Sequence, residues 1–173
     1  MITVERMLHP PEATTTLDRP LDHLVACHRR IEERLAILER VAGHLESRRQ
    51  EALEAAAACF RFFDSNGVWH TADEEESLFP RLRPRLTAEE LAYIEQLEQQ
   101  HREADTLYVE LKSLAGAAEP GDRFRALVAR LSDLYRSHIA SEDRTLIALG
   151  RRALTEVELS AISGEMKRRR RLT

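Results

Sequence analysis

The spacing His-x-x-x-Glu occurs twice in this chain, as His70 to Glu74 and as His138 to Glu142, each time inside a segment whose apolar residues repeat with helical period. Four residues make about one helical turn, so each pair projects from one face of a helix. Two single histidines, His28 and His101, fall on two further segments of the same periodicity. At about 100° per residue, Leu21, Leu24, Ile31, Leu35 and Ala42 lie within about 60° of His28. Phe124, Leu127, Leu131, Leu134 and Leu149 share the face of His138, with Glu142 about 40° away. Ile94, Leu97, Tyr108 and Ala115 flank His101, and Asp105 sits one turn on. Phe63, His70 and Glu74 align if the helix keeps phase through Gly67. The polar residues therefore interrupt the very stripes that should face a core. A chain patterned this way either buries imidazoles and carboxylates bare, at several kcal/mol per unpaired charge, or gathers them around a cation. Imidazole with carboxylate suits iron, manganese or zinc better than copper(I) or calcium. The sequence reads as that of a metal protein.

The punctuation divides the chain into four long helices and a short one. Residues 1–17, with Pro10, Pro11, His9 and the run Thr14-Thr15-Thr16, have no period and read as an irregular arm. A first helix should start near Asp18 to Pro20, since proline is tolerated in a first turn, and run to about Ser47. The second should begin near Arg49, with Ser65-Asn66-Gly67 as a kink or break, and end at Pro80 and Pro84. Thr87 with Glu90 spells a capping box that opens the third helix, which continues to about Ala115. Gly116 to Gly121, with Pro120 inside, is a loop; the fourth helix then covers Asp122 to Leu149, with Gly150 placed as its C′ residue. Thr155 with Glu158 is a second capping box and opens the fifth helix. Short connections between long helices give an all-α, up-down-up-down four-helix bundle over 18–150, followed by a short C-terminal helix and basic tail over 151–173. The composition agrees: of 173 residues 32% are charged and 5% aromatic, which favours helix over sheet.

Several classes of function recede. A net charge of −4 gives no reason to expect nucleic acid as the main partner. No apolar run approaches the ~18 residues of a membrane span, and no signal-peptide pattern opens the chain. Cys27 and Cys59 sit inside helical patterns, so the default compartment is a reducing cytoplasm and the default role of both is packing. Trp69 and Tyr108 read as core aromatics, and His23 and His44 as residues on the solvent side of the first helix. Asp73, Glu75 and Glu76 read as a solvated face, with Glu75 also a candidate partner for a ligand; Lys167 to Arg171 reads as a solvated basic helix end, favourable for the helix dipole.

The residues also carry a family resemblance. Pro20-Leu-Asp-His-Leu-Val-Ala-Cys-His28-Arg-Arg-Ile resembles the first-helix signature of the hemerythrin-like, HHE cation-binding family. His70-Thr-Ala-Asp-Glu74-Glu-Glu-Ser-Leu-Phe-Pro80 is similar to its second, and Gln100-His101-Arg and His138-Ile-Ala-Ser-Glu142-Asp-Arg-Thr-Leu to its third and fourth. The resemblance covers Pro20 to Gly150 and implies a non-heme di-iron centre, oxo- or hydroxo-bridged, with both glutamates as bridging carboxylates. The implied ligands are His28, His70, Glu74, His101, His138 and Glu142, with zinc or manganese as alternative metals. One position departs: oxygen-carrying members place a histidine one turn after the third-helix histidine, and here Asp105 stands there, as a ligand, as a partner of a ligand water, or as a hydrogen-bond partner of an imidazole. That departure weakens the case for reversible oxygen carriage.

Three functions remain open on sequence: a di-iron protein that binds, senses or scavenges O2, nitric oxide or peroxide; a di-iron oxidase or peroxidase; and a metal-poor helical interaction module. No nucleophile motif or phosphate loop is recognisable, and no protein partner is indicated.

Overall fold

Pro20 stands in the first turn of helix α1 (Pro20–His44), where its missing amide costs nothing. The computed structural model describes residues 17–116 and 121–172, and among these it contains five helices and no strand. Helix α2 spans 49–82 in five continuous pieces: Arg49–Phe62, Phe63–Gly67, Val68–Ala72, Asp73–Leu78 and Phe79–Leu82. A 3-10 turn, Arg83–Arg85, leads to α3 (Ala88–Ala115). Helix α4 spans 121–153 as Gly121–Ser141, Glu142–Leu146 and Ile147–Ala153, and α5 is Glu156–Arg169. Both capping boxes form, Thr87 with Glu90 and Thr155 with Glu158. Residues 1–16 of the arm, His9 among them, lie outside the described residues, as do 117–120 of the loop before α4.

Helix α1 packs along α2 and α4, and α3 packs along α4 and closes against α2. This is the four-helix bundle that the periodicity predicts. None of the described helices is long and apolar enough to cross a membrane.

Three wide turns depart from plain α-helix. In each, an amide bonds the carbonyl five residues back: Val68 to Phe63, Phe79 to Glu74, and Ile147 to Glu142. The first takes the place of the break expected at Ser65-Asn66-Gly67. The other two start at or beside the glutamates of the two His-x-x-x-Glu pairs, in keeping with the tendency of π-bulges to mark functional positions.

Gly150 is not a helix terminus. Helix α4 continues to Ala153, and a Cβ at position 150 would meet Leu21 Cδ2 at 2.9 Å and Cδ1 at 3.1 Å. The glycine is there because α1 and α4 approach closely. Gly150→Val should lower unfolding free energy by about 1–3 kcal/mol through overpacking. Gly43→Ala, with nothing within 4 Å, should be neutral or stabilising in the same denaturant titration.

Helix α5 lies across α1 and the Asp73–Leu78 turn of α2, and it overturns three expectations. His23 is 1% exposed rather than on the solvent side, because α5 covers that flank of α1. Burial, with the nearby Arg170 and Arg30 charges, holds its pKa down to about 3, so the ring is neutral. Asp73 is fully buried rather than solvated. The basic run is not simply a solvated end, since Arg169 and Arg170 pair with Asp73, and Lys167 with Asp18. His44 is exposed, as its position on the wheel suggests. Cys27 and Cys59 are buried free thiols, while Trp69 and Tyr108 are half-buried rather than enclosed.

Candidate metal centre

Each of the four bundle helices delivers a buried imidazole or an imidazole-glutamate pair to one point: His28 from α1, His70 and Glu74 from α2, His101 from α3, His138 and Glu142 from α4. The six fall into two overlapping groups. His28, His70, Glu74 and Glu142 offer ligand atoms within 4.8 Å of one another, and so do Glu74, His101, His138 and Glu142. Both glutamates belong to both groups. Glu142 Oε2 is 3.1 Å from His28 Nε2 while its Oε1 is 3.1 Å from His138 Nε2. Glu74 Oε1 is 3.5 Å from His70 Nε2 and 4.0 Å from His28 Nε2, while its Oε2 is 3.3 Å from His101 Nε2. Each carboxylate thus turns one oxygen toward each histidine pair.

The outward faces of the rings are tied down. His28 Nδ1 lies 2.6 Å from Asp143 Oδ1, whose other oxygen takes Arg29 Nη2 at 2.5 Å. His101 Nδ1 lies 2.8 Å from Glu75 Oε1, and His138 Nδ1 lies 2.8 Å from Gln100 Oε1. A carboxylate or amide oxygen accepts, so these three rings donate from Nδ1 and leave Nε2 as the nitrogen that faces inward. His70 Nδ1 is buried with no hydrogen-bond partner. Glu75 therefore acts as the partner of a candidate ligand, while Asp143 and Gln100 were not singled out by sequence. Their trace is only that each adjoins a candidate ligand, Glu142 or His101.

This arrangement suits a cation. His101 Nε2 and His138 Nε2 stand 3.0 Å apart with both Nδ1 protons committed elsewhere. All four oxygens of Glu74 and Glu142 are buried without a hydrogen bond. Without a metal, protons carry the balance. Burial works against a charged His28 and His101, yet the surrounding carboxylates outweigh it and push them up to about 9 and about 10. Burial, with the charge of Glu142 beside it, lifts Glu74 to about 7; burial also opposes ionisation of Glu142, but His138 and His28 hold it well below the usual carboxylate range. Burial, aided by the charge on His28, pushes His70 well below the usual histidine range, so it stays neutral. Each group, two imidazoles with two shared carboxylates, is a donor set of the kind that transition metals take.

Asp105 is not brought to either group. It is exposed, on the wall of a depression of about 250 Å³ formed with Phe63, Gly67, Thr71, Glu75 and Tyr135. Because Glu75 also holds His101, this depression adjoins the centre. The larger depressions lie around Arg49 and Glu54, away from it. Phe79 stacks parallel to His101 with ring centroids 6.4 Å apart, closing that side with an apolar face.

The model of the hemerythrin HHE cation-binding domain matches residues 19–149, which contain all six converging side chains. A protein of Haemophilus influenzae described as uncharacterized is similar, at 27% identity over 168 residues that cover 94% of this chain and 96% of its own. No solved structure matches.

Proposed function

We propose that this chain, which belongs to the hemerythrin HHE cation-binding family, holds two non-heme iron ions and uses them to bind, sense or scavenge O2, nitric oxide or peroxide. The observation that carries the reading is the pair of buried glutamates, each facing both histidine pairs with oxygens that make no hydrogen bond. His28 and His70 would hold one ion, His101 and His138 the other, and Glu74 and Glu142 would bridge them. Iron, when bound, supplies the redox chemistry and the open coordination positions for a small ligand. The protein's own groups do the rest. Asp143, Glu75 and Gln100 hold protons on the outward ring nitrogens, so the inward lone pairs are kept aimed at the centre. Phe79 limits water on one side, and the depression beside Glu75 is large enough for a diatomic molecule or peroxide.

Elemental analysis of protein purified without chelator tests this, with about two irons per chain expected. Near-zero iron that persists after anaerobic loading would remove the reading, and zinc or manganese in its place would redirect it. Titration of the loaded protein with O2, nitric oxide and peroxide, followed by absorption, then identifies the ligand. Sustained peroxide consumption with an electron donor would move the protein to the oxidase and peroxidase class. Asp105→Asn should leave both irons in place, because its carboxylate stands on the exposed wall. Loss of one ion in that variant would make Asp105 a ligand.

A further inference from the structure

Helix α2 carries four consecutive acidic residues, Asp73-Glu74-Glu75-Glu76, of which Glu74 alone faces both histidine pairs. Helical geometry does not by itself make that selection. On an ideal wheel Asp73 falls about 60° to one side of His70 and Glu74 about 40° to the other. The wide turn begins at Asp73, with the Glu74 carbonyl accepting from Phe79, and a one-residue slip would carry Asp73 about 100° round, into the direction that Glu74 takes.

The other three carboxylates are each occupied. Glu75 Oε1 is held by His101 Nδ1 at 2.8 Å. Glu76 Oε2 accepts from Arg169 Nε at 3.2 Å and Nη2 at 3.1 Å. Asp73 accepts from Arg170 Nη2 at 2.7 Å on one oxygen, and from Arg170 Nη1 at 3.2 Å and Arg169 Nη1 at 2.8 Å on the other. Arg169 also donates to Ser77 Oγ at 2.7 Å, so one guanidinium spans the first five residues of the wide turn. Arg170 further lies over the Trp69 ring at 5.5 Å. The two arginines therefore grip the residue before each α2 ligand, Trp69 before His70 and Asp73 before Glu74. A buried carboxylate stripped of its cations must find another partner, and the ligand position of Glu74 is one residue along the helix.

We infer that Arg169 and Arg170 of α5 are positioning residues: by binding Asp73 they hold it off the metal centre and leave Glu74 as the carboxylate that α2 contributes. The inference rests on the metal-centre reading above. It makes α5 part of the site although it supplies no ligand.

The test compares Arg169→Gln/Arg170→Gln with the same variant carrying Asp73→Asn, reading iron affinity by competition with a chromophoric chelator and helix content by circular dichroism. The double variant should keep its helices and bind iron ~10–100-fold more weakly, the usual range for losing a group that orients a ligand. Adding Asp73→Asn removes the competing carboxylate and should restore affinity to near the native value. A triple variant as weak as the double would show that α5 merely props the bundle, and a double variant that binds like the native protein would overturn the inference outright. Should the double variant not fold, Arg170→Gln with and without Asp73→Asn makes the same comparison. Glu74→Gln separates the two layers of argument. If it retains both irons, the metal-centre reading itself fails; if it loses iron while the arginine variant keeps it, only the positioning role falls.

Discussion

Stripping the metal with a chelator at neutral pH should lower the thermal midpoint by roughly 10–20 °C. Each ion bound at about a hundred times its dissociation constant adds ~2.7 kcal/mol, and a domain of this size shifts by about 2–4 °C per kcal/mol. The structure says where that energy goes. The four oxygens of Glu74 and Glu142 lie buried with no hydrogen bond. Protons relieve part of this, but a proton satisfies one oxygen at a time, where a cation would be shared by several of these donors. Differential scanning calorimetry with and without chelator gives the answer, and superimposable melts would mean that these groups are satisfied without a metal.

The second large effect concerns composition. A His101→Ala, Glu142→Ala variant should fall from about two irons per chain to nearly none. Glu142 belongs to both groups of ligand atoms and His101 to one, so their joint loss leaves one position with three protein donors and the other with two. Neither residue is part of an apolar cluster, so helix content should persist. Full iron loading in a well-folded variant would sink the assignment.

Much of this was legible from residue spacing. The helix starts at Thr87 and Thr155 were written in capping boxes, and the six inward polar residues were marked by interrupting apolar stripes. The failures share one cause. A helical wheel reports directions around one helix and not what docks against it. His23 points about 140° from His28, which means solvent in a bare four-helix bundle and means α5 here. Asp73 departs from its expected solvated face for the same reason, buried under α5. Asp105 shows the complementary limit, since it has the right direction from His101 but lies on an exposed wall. The wide turns were the hardest to see. Their trace is a pattern shared by both motifs, Glu74 followed by Leu78-Phe79 and Glu142 followed by Leu146-Ile147. Two adjacent residues about 100° apart are all but fully buried in each case, which a widened turn accommodates.

The apolar residues form two clusters, not one. One gathers Ile31 to Leu45, Ala52 to Phe63, Ala104 to Leu111 and Phe124 to Ile139; the other gathers Leu17 to Leu24, Leu78 to Leu82, Ile94, Leu97, Leu146 to Leu154 and the inner face of α5. Every bundle helix crosses from one to the other at or beside its ligand: at His28, at His70 and Glu74, at His101, and at His138 and Glu142. The polar layer is thus a waist between two independently sealed ends. The side chains that face the centre and those that seal the two ends are therefore largely separate sets, so the polar layer can be altered from within while each end keeps its own apolar packing.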